Sequence, residues 1–269
     1  MSLLTTTGDL AEKVSDKAFI VLPPDYSNVP MALVFALIRR KMKDLYILFA
    51  PIGGIAADLL VGAGNVKTLE AAAITLGEAG LAPRFSEAVQ KGTTEFRDST
   101  CPAIHAGLQA SEKGVPFMPL RGLIGSDVLN YRDDWKVISN PFNEKDGPIV
   151  LLPAIQPDIA LIHAPVADSC GNVWIGKRRE LMTMSHAARK TFVTVEKVQE
   201  QNLLEDDLTA AGTLPNMYVE GIAEAKNGCW PLGLAGFYQP DSDAINAYAK
   251  AAETDSGFRE WLKRNGNRK

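Results

Sequence analysis

Residues Pro153–Gly176 read PAIQPDIALIHAPVADSCGNVWIG, and this stretch decides the fold. Ile159–Ala164 (IALIHA) is a continuous apolar run with β-branched members, the pattern of a strand buried on both faces. Asp168 and the pair Gly171-Asn172 carry turn chemistry, so the strand is expected to fold back into a second short strand at Val173–Ile175. His163, inside the run, is expected to be a core histidine with its hydrogen bonds satisfied.

A strand buried on both faces needs helices above and below it, and the flanking sequence supplies them. Ala18–Leu22 (AFIVL) and Leu45–Phe49 (LYILF) are further apolar strands, and Asn65–Thr75 contains another. Pro23 and Pro24 stop the first of these. Pro30–Lys41 reads as a helix, with proline at its start and basic residues at its end. Helices are also expected over Ala56–Val61, Ala82–Gln90, Ala103–Lys113, Glu180–Ala188 and the tail Asp243–Arg264. Asp9–Val14 reads as an opening helix capped by Thr7 or Asp9. Pro116–Leu120 and Ile149–Leu152 are extended, and Thr191–Val195 is a strand. The alternation predicts an α/β fold: an open, mostly parallel sheet with helices on both faces and right-handed crossovers. The surplus of short strands in the middle and C-terminal parts predicts an added antiparallel segment. No linker divides residues 1–269, so one domain is expected.

Composition narrows the function. The net charge of −4 gives no bulk attraction to nucleic acid or to an anionic membrane. No apolar run approaches the roughly 20 residues that span a bilayer. Cys101, Cys170 and Cys229 are far apart and form no C-x-x-C pair, which argues against zinc ribbons and redox motifs. The N-terminus lacks a basic stretch followed by an apolar core. A cytoplasmic protein with reduced thiols is expected.

Residues Pro153, Ala154, Asp158, Ala160, His163, Ala164, Ala167, Asp168, Gly171, Asn172 and Gly176 stand in one order and spacing. That string resembles the α-subunit signature of class I CoA-transferases of the glutaconate type. The likeness continues through Pro30, Ala32 and Val34, through Leu59-Leu60, Gly62, Gly64 and Val66-Lys67, through Val115-Pro116-Phe117 and Pro119, and through Asn140-Pro141-Phe142. The resemblance implies a CoA-transferase (NagB/RpiA-like) α/β fold. It implies a partner β-type subunit, in a heterodimer or an A2B2 heterotetramer, and an active site between the chains. It also implies an acyl-CoA thioester as substrate and no permanently bound cofactor. The implied chemistry is covalent: a glutamate carboxylate, on the β chain in the heteromeric enzymes, attacks the thioester.

Several loop residues are candidates for the site. Gly53-Gly54 follow a strand and offer backbone N–H groups to a carbonyl oxygen or phosphate. Glu78, in Leu76-Gly77-Glu78-Ala79-Gly80, is a candidate nucleophile or base, because β chains of the family carry their glutamate in a Glu-x-Gly context. Arg121 is a candidate carboxylate or phosphate partner. Gly125 and Ser126 add backbone and hydroxyl donors, and their pattern resembles the steroid ring-opening CoA hydrolases of the same family. Those hydrolases carry an essential glutamate six residues before a G-L-Q. Here Gly107-Leu108-Gln109 is present and Cys101 stands at that position, next to an expected helix start that favours a thiolate.

The loop after the first strand also departs from the family. A glycine-rich basic turn is replaced by Leu22-Pro23-Pro24-Asp25-Tyr26-Ser27-Asn28. Tyr26, Ser27 and Asn28 then offer neutral hydrogen bonds to an acyl group. Transfer of CoA is the leading expectation. Hydrolysis or decarboxylation of a CoA thioester, or a silent chain that completes its partner's site, are the alternatives. A Rossmann-type nucleotide binder is disfavoured because no G-x-G-x-x-G follows the first strand.

Overall fold

The computed structural model describes residues 4–266. Its central sheet has eight parallel strands along its main path, in the order 4–5, 221–224, 190–199, 159–168, 19–22, 45–49, 66–71 and 95–98. Ile159–Asp168 lies at the centre and every one of its residues is buried, as the continuous apolar run predicts. The hairpin is present too: Val166 pairs with Trp174 and Ala167 with Val173, antiparallel.

Alternate residues of each strand feed two separate cores. Ile20, Leu22, Ile47, Phe49, Leu69 and Leu161 face helices Met31–Arg39, Ile55–Gly62 and Pro83–Lys91 and the C-terminal pair Ser242–Ala251 and Asp255–Asn265. Val21, Leu48, Ile162, Val193 and Val195 face helices Cys101–Glu112 and Arg179–Ala187. The expected antiparallel segment is a three-stranded sheet, Phe117–Leu120, Pro148–Pro153 and Lys136–Ser139. It packs Trp135, Val150 and Leu152 against Ala103 and Ala106 of the helix Cys101–Glu112.

Local chemistry corrects two readings. The first helix, Thr7–Glu12, is capped by Thr6 rather than by Thr7 or Asp9. Thr6 Oγ1 accepts from the Asp9 N–H at 3.1 Å while the Asp9 carboxylate takes the Thr6 N–H, so Asp9 is the third helical residue of a capping box. The tail is two helices, broken at Ala252–Thr254, where Thr254 caps the second. Among the described residues, no helix is long and apolar enough to cross a membrane.

Candidate functional site

Chain order reverses at one place in the sheet. From Phe19–Leu22 the chain builds outward through 45–49, 66–71 and 95–98. It then returns to lay Ile159–Asp168 on the other side of Phe19–Leu22. In an open α/β sheet the crevice beyond the carboxyl ends of the strands at such a switch point is the usual ligand site. Here that place is filled by Pro23–Asn28.

The loop is fixed from three sides. The Asn28 carbonyl accepts the His163 N–H at 3.0 Å, joining the loop to the neighbouring strand. Ser27 is fully buried and its hydroxyl donates to Glu180 of the helix Arg179–Ala187. Asp25 Oδ2 accepts the Ile55 N–H at 3.1 Å, at the start of the helix Ile55–Gly62. Tyr26 is left 59% exposed at the tip. The Arg178 guanidinium lies 6.0 Å from its ring centre and 3.9 Å from Glu180. That guanidinium makes no hydrogen bond among the described residues, so its donors remain available.

Gly53 and Gly54 serve the loop by their lack of side chains. Gly53 is in a short parallel pair with Ile74, and its carbonyl accepts the Thr75 N–H at 3.1 Å. A Cβ on Gly54 would lie 1.9 Å from Asp25 Oδ2. Gly54→Ala is therefore expected to cost about 1–3 kcal/mol, the range for overpacking a close contact. A lower urea midpoint at unchanged m-value would show it, and an unchanged midpoint would mean that the Asp25 loop moves away freely.

Cys101 comes to the same region from the second face. It is the first residue of its helix, half-buried, with Thr100 as cap, as the helix-start reading predicts. His105 follows one turn later. Partial burial, with the Glu180 and Cys101 charges, pushes the Tyr26 phenol up against the opposing pull of Arg178. Burial pushes the His105 imidazole below its ordinary 6.5, against the pull of Glu180, so the ring is neutral at pH 7. Tyr26, Ser27, Cys101, His105, Arg178 and Glu180 thus form one cluster of donors, a thiol, an imidazole and a carboxylate.

The other candidates lie elsewhere. Glu78 is exposed on a short 3-10 turn, Gly77–Ala79, that packs toward the helix Ser242–Ala251 on the first face. Arg121 is exposed, and its guanidinium donates to the Asp146 carbonyl. Ser126 caps the turn Asp127–Tyr131 by accepting the Val128 N–H at 3.3 Å, and Gly125 precedes it at φ 85°. No hydrogen bond, ion pair or ring contact joins Glu78, Arg121 or Ser126 to the Tyr26–Glu180 cluster among the described residues. His163 is a satisfied core histidine, enclosed between Thr194 at 2.8 Å and Glu196 at 3.0 Å.

Sequence reasoning missed Arg178, Glu180, His105 and the anchoring role of Asp25. The available signals were the i,i+4 spacing of Cys101 and His105 and the basic run Lys177-Arg178-Arg179 just past Gly176.

Residues 9–225 match the family model described as Coenzyme A transferase. The cholesterol ring-cleaving hydrolase IpdA subunit of Rhodococcus jostii is 30% identical over 241 residues, covering 87% of this chain and 81% of that one. The α-type chain of glutaconate CoA-transferase from Acidaminococcus fermentans is 28% identical over 258 residues, covering 87% of this chain and 78% of that one. The crystal structure of glutaconate coenzyme A-transferase from that organism superposes with a TM-score of 0.89, covering 98% of this chain and 88% of the matched chain at 26% identity. A variant of the decarboxylase AibA/AibB superposes with a TM-score of 0.85 at 25% identity, covering 98% of both chains.

Proposed function

Because the chain belongs to the coenzyme A transferase family, we propose that it is the α subunit of a heteromeric acyl-CoA:carboxylate CoA-transferase. The observation that carries this reading is the convergence of Tyr26, Ser27, Arg178 and Glu180 at the switch point of the sheet. There the chain offers walls and donors to an acyl group. The nucleophilic glutamate is assigned to a β-type partner, since Glu78 is exposed and remote from the cluster. CoA is a substrate in this reading, not a resident cofactor, and the pair is a heterodimer or an A2B2 heterotetramer.

Co-expression with the β-type chain encoded beside it is expected to give a complex with ping-pong kinetics between an acyl-CoA and an acceptor acid. Borohydride should inactivate it only after exposure to acyl-CoA, by trapping an enzyme–CoA thioester on the partner. Sequential kinetics without trapping would sink the transfer reading.

A second reading is favoured by the relatives named for hydrolysis and decarboxylation and by the acid–base groups of the cluster. In that case free CoA, a ring-opened acid or CO2 would appear with no acceptor present.

A further inference from the structure

The helices Cys101–Glu112 and Arg179–Ala187 run side by side and in the same direction on the second face. Their far ends meet where Thr183 Oγ1 donates to Glu112 Oε2 at 3.4 Å and His186 Nδ1 lies 3.4 Å from Glu112 Oε1. Their near ends both open at the switch-point crevice, so two positive helix ends point at one place.

Three reactive groups stand on the facing sides of those ends. Cys101 and His105 are four residues apart, which puts them on one helix face about 5–6 Å apart at Cβ. The His105 ring is half-buried, neutral at pH 7, and has no hydrogen-bond partner among the described residues. Glu180 bears electrostatically on His105 from the second helix and is itself held by the Ser27 hydroxyl. Thiol, unspent imidazole and oriented carboxylate are the components of an activated cysteine nucleophile. The other thiols lack such partners. Cys170 is exposed on the hairpin, and Cys229 is enclosed, with burial pushing its thiol up.

We propose that Cys101 is an acyl-accepting nucleophile of this chain, with His105 as its proton acceptor and Glu180 facing the imidazolium that forms. The proposal rests on the reading of the chain as an acyl-CoA enzyme, and adds a covalent site that does not use the partner's glutamate. In the step, Sγ bonds to the thioester carbonyl carbon and the carbon–sulfur bond to CoA breaks. The thiol proton passes to His105 and from there to the departing CoA thiolate. One thioester replaces another, with no change of oxidation state. An acceptor carboxylate or water then takes the acyl group from Cys101.

The test uses the full chain and its complex with the co-expressed β-type chain. Each is mixed with acetyl-, butyryl- and glutaryl-CoA, and acyl adducts are mapped by peptide mass before and after hydroxylamine. A hydroxylamine-labile acyl group on Cys101 is expected. It should be absent in Cys101→Ser, retained in Cys170→Ser and formed at least about 100-fold more slowly in His105→Gln, the lower end of general-base effects. A complex that consumes acyl-CoA without acylating Cys101 overturns the proposal and leaves the transferase reading intact. A complex that consumes no acyl-CoA counts against the transferase reading itself. Iodoacetamide alkylation of the unliganded chain then decides the dyad alone. Cys101 should react faster than the more exposed Cys170 at pH 7, and lose that advantage in His105→Gln. Alkylation of Cys101 no faster than Cys170, or indifferent to His105, overturns it.

Discussion

Asp168→Ala is expected to lose about 3–5 kcal/mol of stability, the range for removing one member of a buried charged network. Asp168 is fully buried, and its carboxylate accepts three hydrogen bonds. These are the Asn172 N–H at 2.9 Å, the Asn172 side-chain amide at 2.8 Å and the Leu203 N–H at 2.8 Å. Alanine leaves all three donors without an acceptor in a place closed to water, and each orphan costs about 1–3 kcal/mol. The damage spreads, because Asn172 Oδ1 accepts the Asn216 N–H at 3.0 Å and Asn216 Nδ2 donates to the Cys170 carbonyl at 2.8 Å.

For a protein whose whole stability is about 5–15 kcal/mol, this is a third of it or more. Urea unfolding read by linear extrapolation measures the loss. Asp168→Asn should do less harm, since it keeps the shape and one acceptor while turning an amide donor toward other donors. A loss below about 1 kcal/mol in the alanine variant would mean that water enters and replaces the carboxylate. The hairpin leads directly into Arg178 and Glu180, so the variant should also disturb the crevice.

The role of that hairpin was legible in the sequence for a physical reason. A strand buried on both faces needs an unbroken apolar run, and a tight return needs Asp, Gly and Asn at the turn. Both demands are local, and Ile159–Asn172 meets them. The strand Glu95–Asp98 was not legible, because an edge strand of sequence EFRD is half-solvated and carries no apolar signature. The cap at Thr6 is hard to place to the residue because three threonines stand in a row at Thr5–Thr7.

The candidate site divides in the same way. Cys101 at a helix start was readable from Thr100 and Pro102, which are local signals. The meeting of Ser27 with Glu180 was not, because 153 residues separate them. Only the placement of Ile159–Asp168 beside Phe19–Leu22 brings them together, and strand order is not written in any one segment. The loss of basic residues after the first strand suggested an uncharged acyl pocket. The fold returns a guanidinium to that spot from Arg178, on a different element.

Glu196→Ala is expected to cost about 3 kcal/mol or more, as the buried partners of a removed carboxylate lose their acceptor. Glu196 receives His163 Nε2 at 3.0 Å, the Tyr238 hydroxyl at 2.7 Å and the N–H groups of Gly228 at 3.1 Å and Asn227 at 2.8 Å. A carboxylate only accepts, so His163 carries its proton on Nε2 and Nδ1 accepts from the Thr194 hydroxyl. The same groups set a pH dependence. Burial holds the His163 imidazole below its ordinary 6.5. Burial raises the Glu196 carboxyl, but hydrogen bonds from His163, Tyr238 and Asn227 outweigh it and hold it below its ordinary 4.5. Both folded values are depressed, so both contributions are complete above pH 6.5 and are lost as pH falls, His163 first and Glu196 below 4.5. Asp25 acts with the opposite sign. Enclosure pushes its carboxyl up to about 6 despite the Ile55 N–H, so its contribution grows as pH falls from 6 toward 3.8. Between pH 6.5 and 4.5 the two effects oppose each other. Asp25→Asn should therefore steepen the loss of stability on acidification, and His163→Gln should flatten it, in urea midpoints measured across that range. Parallel pH profiles for wild type and both variants would show that neither group changes its proton affinity on folding.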